Sequence, residues 1–385
     1  MANTLTDLIP EIHMAKDRVA RELVGFIPAV YRDPQMEQAA LNETIRVPIT
    51  VEAGDSTDIT PGVDFPDLGD ESVDNITMTI SKSRAQWVRF TGEEEKGLRN
   101  AGTYNSILTD RFTQKIRKLV NEVEADLATT YKSASRAYGT AGTAPFGTAN
   151  DLSDFAQVRK ILEDNGAPTD DLHLVVNTTA GANLRGKQTV LFKVNEAGTD
   201  ALLRRGELGM VEGLRIGMSA QITTHTKGTG SGYLTDLVAG YDVGDTTVHV
   251  DTGTGTILAG DVVTWAGDTN KYVVGTGFAG DGDGDITLSK PGLRIALDDG
   301  DALTIGNSYV PNMAFDRNAI VLSMRPPARP QKGDKADDFM TFNDPVSGLV
   351  FTVAEYAGYH LRAYEISMAW GWKAIKPEFI ALLLG

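Results

Sequence analysis

The chain has 385 residues, 41% hydrophobic and 23% charged, and no cysteine, which predicts two or three domains and excludes disulfides, thiolate metal sites and cysteine nucleophiles. Its 36 basic and 52 acidic residues leave a net charge of −16, the reverse of the basic balance or stripe of a dedicated nucleic-acid binder. No apolar run approaches the roughly 18 residues needed to cross a bilayer, and MANTLTDLIPEIHMAKDRVARELV lacks the basic-then-apolar plan of a signal peptide, so a soluble protein made in the cytoplasm is expected.

In residues 1–43, Leu5, Leu8, Ile9, Ile12, Val19 and Leu23 form the apolar face of a helical arm broken near Pro10 and Pro28. From Thr44 the period becomes two. Ile45, Val47, Ile49 and Val51 predict one strand and Ile76, Met78 and Ile80 its return, giving an extended hairpin within 44–90. The connecting loop carries Asp55, Asp58, Asp64, Asp67, Asp70, Glu71 and Asp74, and no Lys or Arg lies between Arg46 and Lys82. Such a two-stranded ribbon is marginal alone and needs another surface, here expected to be another subunit.

Residues 91–150 open with Thr91 and Glu94, a capping box for a short helix. Leu108, Phe112, Ile116, Leu119, Val120, Val123, Leu127 and Tyr131 then share one helical face, predicting an uninterrupted strut over Asn105–Tyr138, stopped by Gly139. Residues 151–225 alternate helix and strand. Leu152, Phe155, Val158, Ile161 and Leu162 mark a helix closed by Asn165-Gly166. LHLVV (Leu172–Val176) reads as a buried strand, Thr178 or Thr179 as the next cap, and Gly213–Ile222 as another strand.

At Thr226 the composition turns Gly-, Asp-, Thr- and Val-rich. Short runs (TTVHVD, DVVTW, KYVVG, DITLS, LRIAL, ALTIG) separated by turn residues predict a small barrel or sandwich over 226–312, inserted into another fold. Residues 313–385 return to that fold with strands at Asn318–Met324, GLVFTVAEY and YHLRAYEISMAW.

Motifs that carry chemistry are weak. Gly275, Gly277 and Gly280 match G-x-G-x-x-G, but a strand pattern follows where a dinucleotide site needs a helix, so a turn is expected. Asp281, Asp283 and Asp285 have calcium-loop spacing, but Gly292 stands at the twelfth position, so an acidic hairpin tip is expected. His13, His173, His225, His249 and His360 are scattered without metal-ligand spacing. Tyr364, Trp370 and Trp372 could stack on bases or sugars; alternation of Ile366, Met368 and Trp370 favours a strand that closes a core. No catalytic residue, cofactor or metal is assigned.

Two stretches carry a family resemblance. YEISMAWGWKAIKPEFIALLLG, with its internal Gly371 and the step Lys376-Pro377-Glu378, resembles the closing strand of the coat proteins of short-tailed, Salmonella-type phages. LAGDVVTWAGDTNKYVV followed by DITLSKPGL resembles the strand pattern of that family's inserted β-barrel. The order of elements resembles the tailed-phage major capsid fold throughout. The resemblance implies an α+β fold with N-terminal arm, extended hairpin loop, spine helix, peripheral and axial domains and an inserted barrel. It also implies a structural protein rather than an enzyme, self-assembling as hexamers and pentamers into an icosahedral head around double-stranded DNA. Implied partners are a scaffolding protein, a portal and DNA by weak non-specific contact, with no membrane; the location is the virion, and host cytoplasm during assembly.

Alternatives are an encapsulin-type nanocompartment shell and a β-rich surface adhesin or carbohydrate-binding protein built on 226–312, with an enzyme behind both. For contacts between subunits, the acidic loop (Asp64, Asp67, Asp70, Glu71) is expected to dock on or near a stripe of Arg111, Lys115 and Lys118, spaced four and three apart on the long helix.

Overall fold

The structure is a computed structural model that describes residues 12, 14–15, 24–33, 35, 37–49, 74–100, 102, 104–188, 191, 208–330, 333–343 and 348–385. It is a mixed α+β fold. The short β1 (Tyr31–Arg32) is followed by β2 (Thr44–Ile49) and β3 (Asp74–Thr79), which pair antiparallel from Thr44↔Thr79 to Ile49↔Asp74 as a two-stranded sheet of their own. Ile45, Val47, Ile76 and Met78 point to one side, as their alternation predicts, and pack at the ribbon's root against Val321 and Ile375. The acidic residues Asp55, Asp58, Asp64, Asp67, Asp70 and Glu71 lie outside the described residues.

β4 (Lys82–Thr91) leads into α1 (Gly92–Asn100) through the expected capping box. Thr91 N–H donates to Glu94 Oε2 at 2.9 Å and Glu94 N–H to Thr91 Oγ1 at 3.3 Å. The long helix α2 runs over Tyr104–Ala128, about 37 Å at 1.5 Å per residue. Leu108, Phe112, Ile116, Leu119, Val120, Val123 and Leu127 are all buried along it.

The predicted extension to Tyr138 is corrected here: the α-helix stops ten residues earlier, without glycine or proline. Thr129 and Thr130 turn their hydroxyls back onto the carbonyls of Asp126 and Leu127 (2.6 and 2.7 Å), and a 3-10 turn follows over Thr129–Ser133. Arg136–Tyr138 then becomes β5, held between two other strands.

The middle section contains α3 (Ser153–Asp164), β6 (Leu172–Val176), α4 (Thr178–Lys187), β7 (Met210–Val211) and β8 (Leu214–Met218). Helix α3 closes as read: Gly166 takes φ +74° and Ala167 N–H returns to Leu162 O at 3.0 Å. The cap of α4 is Asn177, whose side chain accepts from Ala180 N–H at 2.8 Å, rather than Thr178 or Thr179, which already lie within the helix. The strand read over Gly213–Ile222 shortens to β8, which runs parallel beside β6.

The glycine-rich region supplies β9 (Leu234–Thr235), β10 (Thr247–Gly253), β11 (Val262–Trp265), β12 (Lys271–Thr276), β13 (Gly282–Leu288) and β14 (Leu303–Ile305). Their pairings run β9–β10–β13–β12–β11–β14, and the bridge Leu234↔Ala302 closes the ring. Tyr233, Val248, Val250, Val263, Trp265, Tyr272 and Ile286 fill its interior. LRIAL forms no strand: only Leu297 bridges, to Tyr241.

The chain returns through β15 (Pro311–Asp316), β16 (Ile320–Arg325), β17 (Ala336–Asn343), β18 (Val350–Gly358), β19 (Leu361–Ala374) and β20 (Ile380–Leu384). Pro311 and Asn312 pair with Leu384 and Leu383, in the same sheet as β6 and β8. That sheet continues through β20 and β5 into β12 of the ring. The second large sheet has β19 at its centre, with β4 on one side and β18–β17 and β16–β1 on the other. α2 lies against it, and their shared core includes Phe112, Val88, Phe90, Tyr364, Ile366, Met368 and Trp370.

Candidate assembly surfaces and the buried neck

The spine-helix stripe is present, but each cation already has a partner within the chain. Arg111 donates to the carbonyl of Arg89 at 3.3 Å and lies over the Phe90 ring at 4.5 Å. Lys115 reaches Gln86 Oε1 at 3.5 Å, and Lys118 pairs loosely with Glu122 at 3.8 Å. The contacts of Arg111 and Lys115 hold those two side chains along β4, while that of Lys118 stays on the helix. The other half of the expected contact, Asp64, Asp67, Asp70 and Glu71, is outside the described residues.

Sequence reading missed two buried carboxyl groups. Glu124, on the buried side of α2, accepts from three consecutive backbone N–H groups, Gly25 (2.6 Å), Phe26 (2.8 Å) and Ile27 (3.1 Å). This fastens the segment before β1 to the spine. Burial pushes the Glu124 carboxyl up from its ordinary range, and the N–H donors, Phe26 first, pull it back. Asp126, in the last turn of the helix, accepts from Trp370 Nε1 (2.8 Å) and Lys82 Nζ (2.7 Å), tying α2 to β19 and β4. Trp370 and Tyr364 are fully buried, and residues 366–371 are buried on both faces of β19, so neither ring offers a stacking surface; Trp372 is half-buried, with Lys82 Nζ 5.6 Å from its ring centroid.

At the neck of the glycine-rich unit, the chain enters at His225 and leaves at Tyr309, which exchange backbone hydrogen bonds (2.8 and 3.2 Å). His225 Nδ1 lies 2.8 Å from the Tyr131 hydroxyl and Nε2 lies 2.8 Å from Asp261 Oδ1. Asp261 also accepts from Leu258 N–H (2.7 Å) and Gly228 N–H (3.1 Å). Tyr309 packs against both rings and donates to Gly260 O at 2.6 Å. Burial, then Asp261, pushes the Tyr131 phenol up to about 12. The tautomer that satisfies every group has Tyr131 donating to Nδ1 and Nε2–H donating to Asp261. Hydroxyl, imidazole and carboxyl in line imitate a nucleophile triad. All three are buried and spent on one another, so the arrangement is a joint between spine, neck and ring.

The remaining motifs are accounted for locally. Gly275 lies in β12, and Gly277 and Gly280 link it to β13, a strand rather than a helix. Asp281 accepts from Gly255 N–H at 2.6 Å, while Asp283 and Asp285 flank His249 at 2.5 and 2.6 Å. His173 pairs with Asp171 at 3.0 Å, and His13 lies outside the described residues. Among the described residues no group of three or more His, Asp or Glu side chains is arranged to hold a metal ion. A groove of about 650 Å³ lies between the 138–148 loop, α4 and the end of β20, lined by Phe146, Asp151, Asp154, Asn183 and Lys187. Its polar groups hold the loop itself: Asp154 accepts from Phe146 N–H (2.7 Å) and Asn183 donates to Pro145 O (2.9 Å).

No family model matches the chain, and no curated protein matches it. Among solved structures it is similar to the capsid of the cyanophage P-SCSP1u, at 12% identity over 94% of this chain and 88% of that chain, with a TM-score of 0.49. It is similar to the virus-like particle from Pyrococcus furiosus, at 10% identity over 97% and 98% of the two chains, with a TM-score of 0.43. A structure from Mycobacterium phage Che8 matches at 12% identity over 90% and 85%, with a TM-score of 0.42.

Proposed function

We propose that this chain is the repeating structural unit of a closed icosahedral shell, the head of a tailed phage, and that it acts by self-association rather than catalysis. The observation that carries this reading is the β2–β3 ribbon. Among the described residues it forms a two-stranded sheet of its own, packed at its root against Val321 and Ile375, and such a ribbon lacks stability unless a further surface covers it. A neighbouring copy supplies that surface. The buried groups agree: Glu124, Asp126 and the His225–Asp261 pair all serve to lock segments together.

In the same reading the α2–β19 layer is the peripheral domain and the β6–β8–β15–β20 layer with α3 and α4 the axial domain. The ring β9–β14 is the inserted barrel, and hexamers and pentamers build the lattice. Scaffolding protein, portal and enclosed double-stranded DNA are the partners, and virion and host cytoplasm the locations, that go with it. The net charge of −16 suits a wall that must not grip packed DNA.

The test is negative-stain microscopy and sedimentation of the purified protein, alone and with a scaffolding protein. Closed particles or megadalton rings are expected. A stable monomer at every concentration, scaffold included, overturns the reading.

A further inference from the structure

The ring β9–β14 holds several apolar side chains out of its own core. Its loop 236–245 runs antiparallel to 293–299. Tyr241 and Leu297 exchange backbone hydrogen bonds (2.8 and 3.0 Å), and Gly244 N–H donates to Leu293 O at 2.8 Å. That register sets Val243 across from Ile295. The turn before it is closed by Gly240 N–H on Leu237 O (2.7 Å), and Leu237 N–H donates to Asp299 Oδ1 (3.1 Å). Gly240 takes φ +72°, and a Cβ there would stand 2.7 Å from Leu297 O, so the turn sits hard against its neighbour. Tyr241 is buried in the ring's core, its hydroxyl accepting from His249 N–H at 2.8 Å. The loop is therefore pinned along its length. Yet Val238 is 91% and Val243 62% exposed, with Leu237 and Ile295 exposed beside them. A group of apolar side chains held out on a fixed loop within a charged rim has the make-up of a binding surface.

The rim is acidic. Asp236, Asp242, Asp245, Asp298 and Asp299 are all exposed around the loop. Asp245 and Asp299 accept from the Asp242 and Leu237 N–H groups. Among the described residues the ion pairs of the ring are those of Asp261 with His225 and of Asp283 and Asp285 with His249. Arg294, next to Ile295, turns to the Asp164 carbonyl at 3.2 Å. Residues 226–312 hold twelve Asp and four Lys or Arg, so this side of the ring is left with a surplus of negative charge.

We propose that the 236–245 loop docks a basic segment of a different protein, its Lys and Arg side chains on the aspartate rim and its apolar side chains on Val238, Val243 and Ile295. Charge decides between occupants. A second ring would set one acidic surface against another, and an anionic membrane or a nucleic acid would be repelled in the same way. A Lys- and Arg-rich protein gains from both features: charge steers it in, and apolar contact holds it. Because the loop is already pinned, little further ordering is needed on this side of the contact. The proposal goes beyond the shell reading and does not depend on it.

The probe is a labelled amphipathic Lys/Leu peptide of about 18 residues, titrated against the full chain by fluorescence anisotropy, with a Lys/Ser peptide of equal charge for comparison. The Lys/Leu peptide is expected to bind at least about tenfold tighter than Lys/Ser, and both to weaken as salt rises. Val238→Ser with Val243→Ser should abolish that preference; both side chains are exposed, so the fold survives, as circular dichroism can check. Asp236→Asn with Asp242→Asn should keep the preference but weaken both peptides about threefold and flatten the salt response. Tyr359→Ser, which removes a side chain 94% exposed at the β18–β19 turn, should leave binding unchanged. Equal affinity for the two peptides, a double valine variant that binds like the parent, or an equal loss in Tyr359→Ser overturns the proposal. Particle formation separates it from the shell reading. The double valine variant should assemble like the parent. If the parent assembles and the variant does not, the loop joins copies of this chain, which overturns the basic partner and leaves the shell reading in place. If neither assembles, the shell reading falls and the peptide titrations still decide this one.

Discussion

His225 Nε2 lies 2.8 Å from Asp261 Oδ1, and neither side chain reaches solvent appreciably. The pair joins the neck of the ring to a loop within it, and Tyr131 extends the joint to the turn that follows α2. Removing the imidazole takes from buried Asp261 one of its three donors, leaving the Leu258 and Gly228 N–H groups, and leaves the buried Tyr131 phenol without its partner. His225→Ala is expected to cost about 2–4 kcal/mol in a denaturant titration, the range for a broken buried polar pair. Tyr131→Phe, which strands one ring nitrogen, is expected to cost about 1 kcal/mol. Equal stability of both variants and the parent would show that the joint is not holding the neck.

That joint was invisible in the sequence. His225 and Asp261 are 36 residues apart, Tyr131 is 94 residues from His225, and no spacing rule connects them. Local signals fared better. Thr91 with Glu94, Asn165-Gly166 and the five buried residues of LHLVV work through neighbours in the chain, so their reading survives folding. The spine misread shows the limit. Apolar spacing continues through Tyr131 because that ring is buried against His225 and Tyr309, a tertiary reason that happens to fall on a helical period. LRIAL failed similarly: Leu293 and Leu297 are buried in the ring's core from an irregular segment.

The ring should show a pH-dependent stability. His249 on β10 is held between Asp285 and Asp283, and its pKa is raised, first by the hydrogen bond to Asp285 and then by charge. The folded state therefore binds the proton more tightly than the unfolded chain. Its contribution is fully present below the unfolded value of 6.5 and is lost as pH rises through the raised folded value. The melting temperature is expected to fall as pH rises above the unfolded value, modestly because the pair is partly exposed. His249→Gln should flatten that slope. An unchanged slope in the variant would assign the pH response elsewhere.

The basic surface of α2 gives a salt-dependent prediction. Reversing Arg111, Lys115 and Lys118 to Glu removes exposed contacts worth about 0–1 kcal/mol each, so the fold should survive, as circular dichroism can check. If an acidic loop of another copy docks there, particle yield drops in the variant. The parent's yield should also weaken as salt rises, because charges beyond roughly 8–10 Å are screened near physiological ionic strength. Adding Lys at Asp64, Asp67 and Asp70 should restore part of the loss. Unchanged yield and salt response in the triple reversal would remove this contact without touching the shell reading.

Gly371, the internal glycine of the closing strand, allows two chain segments to pass in contact. A Cβ placed there would stand 2.2 Å from the carbonyl oxygen of Thr79 and 3.1 Å from Ile80 Cα. Both obstacles are backbone, so no side-chain rotation relieves them. Around that point Ser81 N–H donates to Trp370 O at 3.1 Å and Lys373 Nζ to Thr77 O at 2.9 Å, which seats the root of the β2–β3 ribbon on β19. Gly371→Ala must push the two apart, and it is expected to cost about 1–3 kcal/mol, the range for overpacking at a rigid contact. The strain falls on the ribbon's root rather than on the core, since Trp370 and Met368 keep their partners on the α2 side. The variant should therefore fold and melt a few degrees lower, as overpacking of this size allows, yet assemble poorly, because the ribbon leaves the subunit at a changed angle. Protease digestion of the free subunit and particle counts by electron microscopy separate the two effects. A variant that assembles as well as the parent would show that the ribbon's seat on β19 does not set its direction.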